Sequence, residues 1–244
     1  MLPKEIRPDY IAYFSMEVGL DSTMPTYSGG LGILAGDTLR AAADLGLPMI
    51  GITLLHRKGY FRQRLDSAGN QTESPAAWDF EQALEPMVPR VFVPISGKAV
   101  MVRAWRSVVR GVFGHVVPVY FLDTGVDENN PWEQSLTDAL YNGDAQHRLC
   151  QEIVLGMGGV AMLEALGYKH ISTYHLNEGH AALLTLALLE REITRGNLET
   201  VTESDREAVS QRSVFTTHTP VPAGHDEFSV DLVRTVLGNE RAAA

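Results

Sequence analysis

Three glycines in four positions stand within residues 27–37, YSGGLGILAGD, immediately before an amphipathic run. Apolar residues then recur at helical spacing as far as Leu45, and Gly46 stands where a helix would end. This pattern predicts a glycine-rich loop that opens a helix. The first turn of a helix has backbone N–H groups without partners, and glycines allow a ligand to approach those groups closely.

The loop alone also fits a tight turn before an ordinary helix, because lone glycine-rich loops carry little specificity. A P-loop is excluded, since the loop lacks a Gly-Lys pair followed by Ser or Thr. The loose dinucleotide fingerprint is satisfied by Gly30, Gly32 and Ala35. That fingerprint requires an acidic residue after the next strand, whereas the strand predicted over 49–55 leads into His-Arg-Lys. Nicotinamide binding is therefore disfavoured.

Apolar runs and helical periods alternate along the rest of the chain. A strand–helix–strand unit around the glycine loop predicts an α/β fold, in which a parallel sheet carries helices on both faces. The pattern of residues 59–122 predicts a β-rich insertion within this α/β fold, including a hairpin with its turn at 96–98. The predicted strands outside the insertion are 11–15, 49–55, 169–175 and 214–217, and the later helices are 145–166, 178–192, 205–211 and 226–237.

The composition narrows the class of partner. A net charge of −10 argues against nucleic acid and anionic membranes, and is compatible with a neutral substrate such as a sugar. Cys150 is the only cysteine, so no internal disulfide is expected. The sequence lacks an apolar signal segment and any apolar run long enough to cross a bilayer, and we predict a soluble, cytoplasmic protein.

Polar clusters follow three of the predicted strands, at residues 15–17, 175–180 and 217–220. In open α/β sheets, ligands bind at the carboxyl ends of the strands. We therefore expect these clusters to line one crevice together with the glycine loop. His218 is expected at the carboxyl end of a central strand, in one pocket with Gly30 and His180.

A metal site is the alternative interpretation of His175, His180, His218 and His225. It is disfavoured because the first two are five residues apart, which is not a zinc-ligand spacing. For each single histidine, capping or core packing is the structural alternative, and for His225 we prefer it. A helix N-cap at position 177 or 178 would likewise explain part of the second cluster without any function.

Five segments resemble, in the right order, motifs of the α-glucan (glycogen or maltodextrin) phosphorylases of the compact bacterial and archaeal type. The match spans nearly the whole chain, and its specificity comes from the order of the motifs, since each is weak alone. The segments are YFSME (13–17), SGGLGILAGD (28–37), DAQHRLCQE (144–152), HLNEGHAA (175–182) and THTPVPAGH (217–225).

The resemblance implies that residues 1–244 form the Rossmann-like N-terminal domain of a GT-B glycosyltransferase. Enzymes of this family transfer the terminal α-1,4-glucosyl unit of a glucan to phosphate and release α-glucose 1-phosphate, with pyridoxal phosphate as cofactor. The implied partners are α-1,4-glucan and phosphate, with no nucleic acid and no membrane.

The resemblance also implies roles for individual residues. His218 would be catalytic, with its carbonyl and side chain beside the glucosyl ring. The remaining residues would bind substrate and phosphate or support that wall of the pocket; they are Gly29, Gly30, Leu31, Asn177, Glu178 and His180.

The sequence departs from the family pattern at the cofactor. The family's cofactor lysine lies in a C-terminal domain, and this sequence has no lysine after Lys169. Val18 stands where larger family members carry an aromatic residue against the cofactor. We therefore expect this chain to be part of a longer enzyme and, alone, to fold, to self-associate weakly and to be catalytically silent.

Two other functions remain open. One is a nucleotide-sugar glycosyltransferase of the starch or glycogen synthase type, against which the lack of a Lys-x-Gly-Gly loop argues. The other is a glucan-binding module without chemistry, which the missing cofactor lysine favours for the isolated chain.

Overall fold

The computed structural model describes residues 9–193, 201–220 and 225–243. Residues 1–8 and residues 221–224 of the fifth motif lie outside these ranges. The strands are β1 (Tyr10–Ser15), β2 (Met49–Leu54), β3 (Phe61–Leu65), β4 (Gln71–Pro75), β5 (Glu85–Ile95), β6 (Lys98–Arg110), β7 (Val116–Asp123), β8 (Ile171–Asn177) and β9 (Ser213–Thr216). The helices are α1 (Gly30–Leu45), α2 (Phe80–Ala83), α3 (Pro131–Gln134), α4 (Ala145–Ile153), α5 (Gly159–Ala165), α6 (Leu183–Glu192), α7 (Glu203–Gln211), α8 (Val230–Leu237) and α9 (Asn239–Ala243).

A seven-stranded sheet runs in the order β5-β6-β7-β2-β1-β8-β9. All pairs from β7 to β9 are parallel, and β5 and β6 extend the sheet in antiparallel fashion. The predicted α/β class with a mostly parallel sheet is confirmed.

Both faces of the sheet are covered by helices, as predicted. Successive side chains of a strand point to opposite faces. Tyr13 therefore packs in an apolar cluster with Leu39 of α1, while Phe14 packs in a larger cluster with Ile153 of α4 and Leu184 of α6. Among the described residues, no helix combines the length and the apolarity needed to cross a membrane.

Helix α1 confirms the prediction made from the glycine loop. It begins at Gly30 and is followed by Gly46, which adopts a left-handed φ of 69°. The N–H of Gly46 bonds the carbonyls of Ala42 and Ala43, which closes the last turn. The loop and the first turn of α1 are thus fixed to a 16-residue helix that buries one face on the sheet.

The stretch predicted as a β-rich insertion contributes three of its strands, β5, β6 and β7, to the main sheet. Only β3 and β4 form a separate two-stranded sheet. The predicted hairpin is present between β5 and β6, and its turn has positive φ at Ser96 and Gly97. Lys98, predicted within the turn, pairs with Ile95 as the first residue of β6.

The long helix predicted over 145–166 is interrupted by a π turn (Val154–Gly158) between α4 and α5. Its glycines allow close packing against another backbone. A Cβ built on Gly156 would lie 2.5 Å from the backbone nitrogen of Leu184 on α6. This contact holds α6 against the helix and positions the chain that leaves β8.

Candidate functional site

Three parallel strands end side by side and bring the predicted polar clusters together. Ser15 of β1 is in register with Asn177 of β8, and Asn177 is in register with Thr216 of β9. His218 follows β9 closely, so its predicted position at the carboxyl end of a strand is confirmed. The expectation of a central strand is wrong, because β9 is the edge strand of the described sheet.

The carboxylate of Glu17 joins the end of β1 to the glycine loop. Glu17 is only 2% exposed, and its Oε2 accepts hydrogen bonds from the N–H groups of Ser28 (2.5 Å) and Gly29 (3.2 Å). Its Oε1 accepts a bond from the hydroxyl of Tyr141 at 2.9 Å. This buried anion therefore satisfies the amides that precede α1 and fixes the shape of the loop.

The three glycines of the loop divide into an open pair, Gly29 and Gly30, and the packed Gly32. A Cβ on Gly29 or Gly30 would have no atom within 4 Å. A Cβ on Gly32 would lie 2.4 Å from Cβ of Tyr27 and 2.7 Å from Oε2 of Glu17. The open pair thus leaves room for a ligand, whereas Gly32 is needed for the fold of the loop itself.

The backbone N–H groups at the start of α1 differ in availability. The amide of Gly29 donates to Glu17, although the resemblance would direct it to phosphate. Gly30 and Leu31 donate no hydrogen bond to any group in the described part of the chain. Since Gly30 is exposed and Leu31 half-buried, these two amides are the donors that the loop offers.

Glu178 turns the chain after β8 and holds the segment after β9. It has a positive φ of 66° and is fully buried. Its Oε1 accepts from the backbone N–H groups of His218 (2.7 Å) and Thr219 (2.8 Å). Burial alone would raise the pKa of this carboxyl, but the two amides outweigh it and keep the pKa below its usual value. The alternative of a helix cap at position 178 is not observed, because the side chain makes no capping hydrogen bond and accepts from these amides instead.

The ring of His218 is fixed by a chain of hydrogen bonds that returns to β1. Its Nε2 donates to Oδ1 of Asn177 at 3.0 Å. Nδ2 of Asn177 donates to Oγ of Ser15 (3.1 Å), which in turn donates to the carbonyl of Glu17 (2.6 Å). The alternative of a helix N-cap at position 177 is therefore not observed either. Nδ1 of His218 lies 3.6 Å from Oε1 of Glu178.

His180 lies behind this wall, against Tyr141 and Asp226, which lie outside the five motif segments. Its ring centroid is 5.6 Å from that of Tyr141, and its Nε2 is 3.8 Å from Oδ2 of Asp226. Arg148 forms an ion pair with Asp226 and stacks over Tyr141 at 5.2 Å. Burial lowers the pKa of His180, so the ring is neutral at neutral pH. Together with the hydrogen bonds of Glu17, these contacts connect all five motif segments that carry the resemblance.

Two of the histidines weighed as metal ligands lie elsewhere. Nε2 of His175 is 2.8 Å from Oγ1 of Thr216, and its ring packs edge-on against Tyr13. Nε2 of His225 is exposed and bonds the carbonyl of Thr219. Within the three described ranges, no group of three or more His, Cys, Asp or Glu side chains is arranged to hold a metal ion.

Buried polar atoms without a hydrogen-bond partner concentrate at this end of the sheet. In the described part of the chain they are Nδ1 of His56, Oε1 of Glu152, Oε2 of Glu178 and Nδ1 of His180. His56 belongs here because its Nε2 donates to the carbonyl of Met16 at 2.8 Å. Buried polar atoms are normally hydrogen-bonded, so these unsatisfied atoms distinguish this end of the sheet from the rest of the described core.

Comparison with known proteins identified several similar curated sequences, although no family model matches the chain. It is 39% identical to a glycogen phosphorylase of Mycobacterium tuberculosis over 96% of this chain and 28% of that protein. It is 40% identical to a maltodextrin phosphorylase of Thermococcus litoralis over 90% of the chain and 26% of that protein. A glycogen phosphorylase of Aquifex aeolicus is 35% identical over 86% of the chain and 30% of its own length.

The resemblance inferred from the five motifs is therefore confirmed: the chain is similar to glycogen and maltodextrin phosphorylases over nearly all of its length. It spans less than a third of the length of these relatives.

Proposed function

We propose that this chain is the N-terminal, Rossmann-like domain of a GT-B α-glucan phosphorylase and supplies the wall of the active site that holds the glucosyl unit. The observation that carries the proposal is the network around Glu17, which unites the five motif segments beside two available amides. The proposed reaction transfers the terminal α-1,4-glucosyl unit of glycogen or maltodextrin to phosphate, giving α-glucose 1-phosphate.

The charge of the described wall favours a neutral, polyhydroxylated ligand over an isolated anion. Two buried carboxylates, Glu17 and Glu178, lie in it, and the nearby cation Arg148 is paired with Asp226. Hydroxyl groups both donate and accept, so a sugar matches the amides of Gly30 and Leu31 as well as the acceptor atoms of the wall.

The proposed roles at the reacting sugar follow from the two segments after β8 and β9. Asn177 and Glu178 fix the ring and the backbone of His218. His218 then presents a carbonyl beside the glucosyl ring, where positive charge develops as the glycosidic bond breaks. A dipole fixed in advance stabilises such charge without reorganisation during the reaction.

Pyridoxal phosphate would supply the acid–base chemistry toward phosphate when bound. The residues described here do not form its attachment site. Lys58 pairs with Asp138, and Lys98 lies 3.7 Å from Glu133. Lys169, before β8, is exposed at the opposite end of that strand from the candidate site. A glucan-binding module without chemistry is therefore the second candidate for the chain alone.

Two assays separate these functions. The purified chain, mixed with maltodextrin, phosphate and pyridoxal phosphate, should form no glucose 1-phosphate. Substituted for the aligned segment of the Mycobacterium tuberculosis glycogen phosphorylase, it should support sustained product formation, and a chimera carrying His218→Ala should not. A folded chimera that binds cofactor and maltodextrin but yields no product would favour the binding module.

Gly30→Val tests the loop directly. The new side chain enters open space on the ligand side, so we expect maltopentaose binding by the chain to weaken more than tenfold. The free energy of unfolding should change by less than about 1 kcal/mol, because no packed atom is displaced. Calorimetric titration and denaturant unfolding measure the two quantities.

Ala41→Val is the matched control, since it places the same side chain on an exposed position of α1 away from the loop. Binding should be unchanged in this variant. Equal losses in both variants, or normal binding by Gly30→Val, would remove the loop from the sugar site.

A further inference from the structure

A cluster of acidic groups lies beneath the candidate site, between α4 and the segment that leads into α8. Glu152 is 5% exposed, and its carboxyl group lies within hydrogen-bonding reach of Asp226. Asp226 also pairs with Arg148 and lies 3.8 Å from Nε2 of His180. We name Glu152, Asp226, Arg148 and His180 the acid cluster. It joins the chain after β9 to the helix that carries the third motif.

The charges of this region do not balance if every carboxyl group is ionised. Arg148 is the one arginine or lysine in contact with Glu152 and Asp226 in the described part of the chain, and it is bound to Asp226. The carboxylate of Glu17 on the adjoining side is satisfied by two amides and the hydroxyl of Tyr141. Glu178 faces His180, and its Oε1 accepts from the two amides after β9.

Glu152 has no corresponding partner. Its Oε1 is buried and receives no hydrogen bond from the described residues. Two carboxyl groups in contact cannot both carry a charge at low cost, and they normally share one proton.

We propose that Glu152 is a positioning residue that acts through its proton, which bridges to Asp226 and fastens the segment carrying His218 to α4. The protonated carboxyl donates to Asp226, which also accepts from Arg148 and lies 3.8 Å from Nε2 of His180. Loss of that proton places two carboxylates against each other and releases the segment. This inference concerns the geometry of the chain and holds whatever ligand the site takes.

The direction in which the pKa of Glu152 is shifted agrees with a proton held between Glu152 and Asp226. Burial raises the pKa of Glu152, and the charge of Asp226 raises it further, to about 9, against a smaller opposite effect of Arg148. Asp226, the hydroxyl of Tyr141 and the neutral ring of His180 add no positive charge. The bridge is therefore complete at neutral pH and opens as the pH rises through about 9.

NMR titration of the complete chain tests the proposal without any sugar. The side-chain carboxyl carbons of glutamate and the ring signals of His180 and His218 are followed from roughly pH 6 to pH 10.5. In the wild type, the Glu152 carboxyl and both rings should shift together with a midpoint near pH 9. Glu152→Gln retains an N–H donor toward Asp226 and cannot titrate, so the wild-type ring positions should persist across the whole range.

Asp226→Asn is the second variant, and it keeps the proposal testable if the first does not fold. Removing the neighbouring charge should lower the midpoint of Glu152 by more than one pH unit. A wild-type Glu152 that titrates in the normal acidic range, or ring shifts near pH 9 that persist in Glu152→Gln, would overturn the proposal. Asp37→Asn, on the exposed side of α1, is the control and should leave all midpoints unchanged.

Discussion

Gly36→Ala is expected to destabilise the chain by roughly 1–3 kcal/mol, the usual cost of forcing an extra group into a packed interior. A Cβ at position 36 would lie 2.1 Å from the carbonyl oxygen of Gly19 and 2.9 Å from its carbonyl carbon. Both atoms belong to the backbone, so helix α1 must move away from the loop that follows β1. The gain in helix propensity from Gly to Ala, at most about 1 kcal/mol, offsets only part of this cost.

Gly30→Ala is the matched control, because it makes the same substitution in the same stretch where no atom lies within 4 Å. Its free energy of unfolding should equal that of the wild type or exceed it by a few tenths of a kcal/mol. Urea unfolding followed by circular dichroism measures both variants. Equal stability of Gly36→Ala and the wild type would contradict the close approach of α1 to Gly19.

The different fates of these glycines show what the sequence could predict about the loop. The pattern of glycines and apolar residues predicted a loop, a helix and its end at Gly46, because these depend on local backbone preference. It could not predict that Gly29 and Gly30 are open while Gly32 and Gly36 are packed. That division depends on Tyr27, Glu17 and Gly19, whose positions are set by the tertiary fold.

The sequence predicted the positions of the strands better than it predicted which strands pair with each other. Alternating residues predicted the β5–β6 hairpin, but periodicity does not report which sheet a strand joins. The stretch 59–122 was therefore predicted as an insertion, although β7 pairs with β2 in the centre of the main sheet.

At the site, sequence motifs predicted the clusters at the strand ends but not the groups that connect them. Tyr141 bonds Glu17, from which it is separated by 124 positions in the sequence, and Arg148 bonds Asp226, from which it is separated by 78. Contacts of this separation leave no local pattern. A helix N-cap was the structural alternative for Glu178, whereas the residue has a positive φ and its carboxylate accepts from the N–H of His218.

Asp123→Asn is expected to produce the largest loss of stability, about 3–5 kcal/mol, which is typical when one partner of a buried ion pair is removed. Asp123 is fully buried at the end of β7. Its carboxylate accepts from Arg57 (Nη2, 2.7 Å), Arg103 (Nε, 2.7 Å), Trp105 (Nε1, 3.0 Å) and the N–H of Gly125 (2.8 Å). An amide of the same shape removes the negative charge and offers an N–H where the arginines need an acceptor.

The pH dependence of the stability loss distinguishes removal of the buried charge from a general packing defect. Burial alone would raise the pKa of Asp123, but the arginines and Trp105 outweigh it, so the pKa lies below the usual value of 3.8. A depressed folded-state pKa gives stability that is present above the unfolded-state pKa and is lost as the pH falls through the folded-state value. The difference between the wild type and Asp123→Asn should therefore be complete at neutral pH and shrink below about pH 4.

Denaturant unfolding of both proteins at several pH values, followed by the fluorescence of Trp105 and its neighbours, measures this difference. Asp37→Asn is the control, because Asp37 pairs with Arg40 on the exposed side of α1, where such pairs contribute roughly 0–1 kcal/mol. Two outcomes would contradict this mechanism: a stability loss for Asp123→Asn as small as in the control, or a loss that is the same at neutral and acidic pH. Either would show that the buried carboxylate does not join Arg57, after β2, to Arg103 on β6.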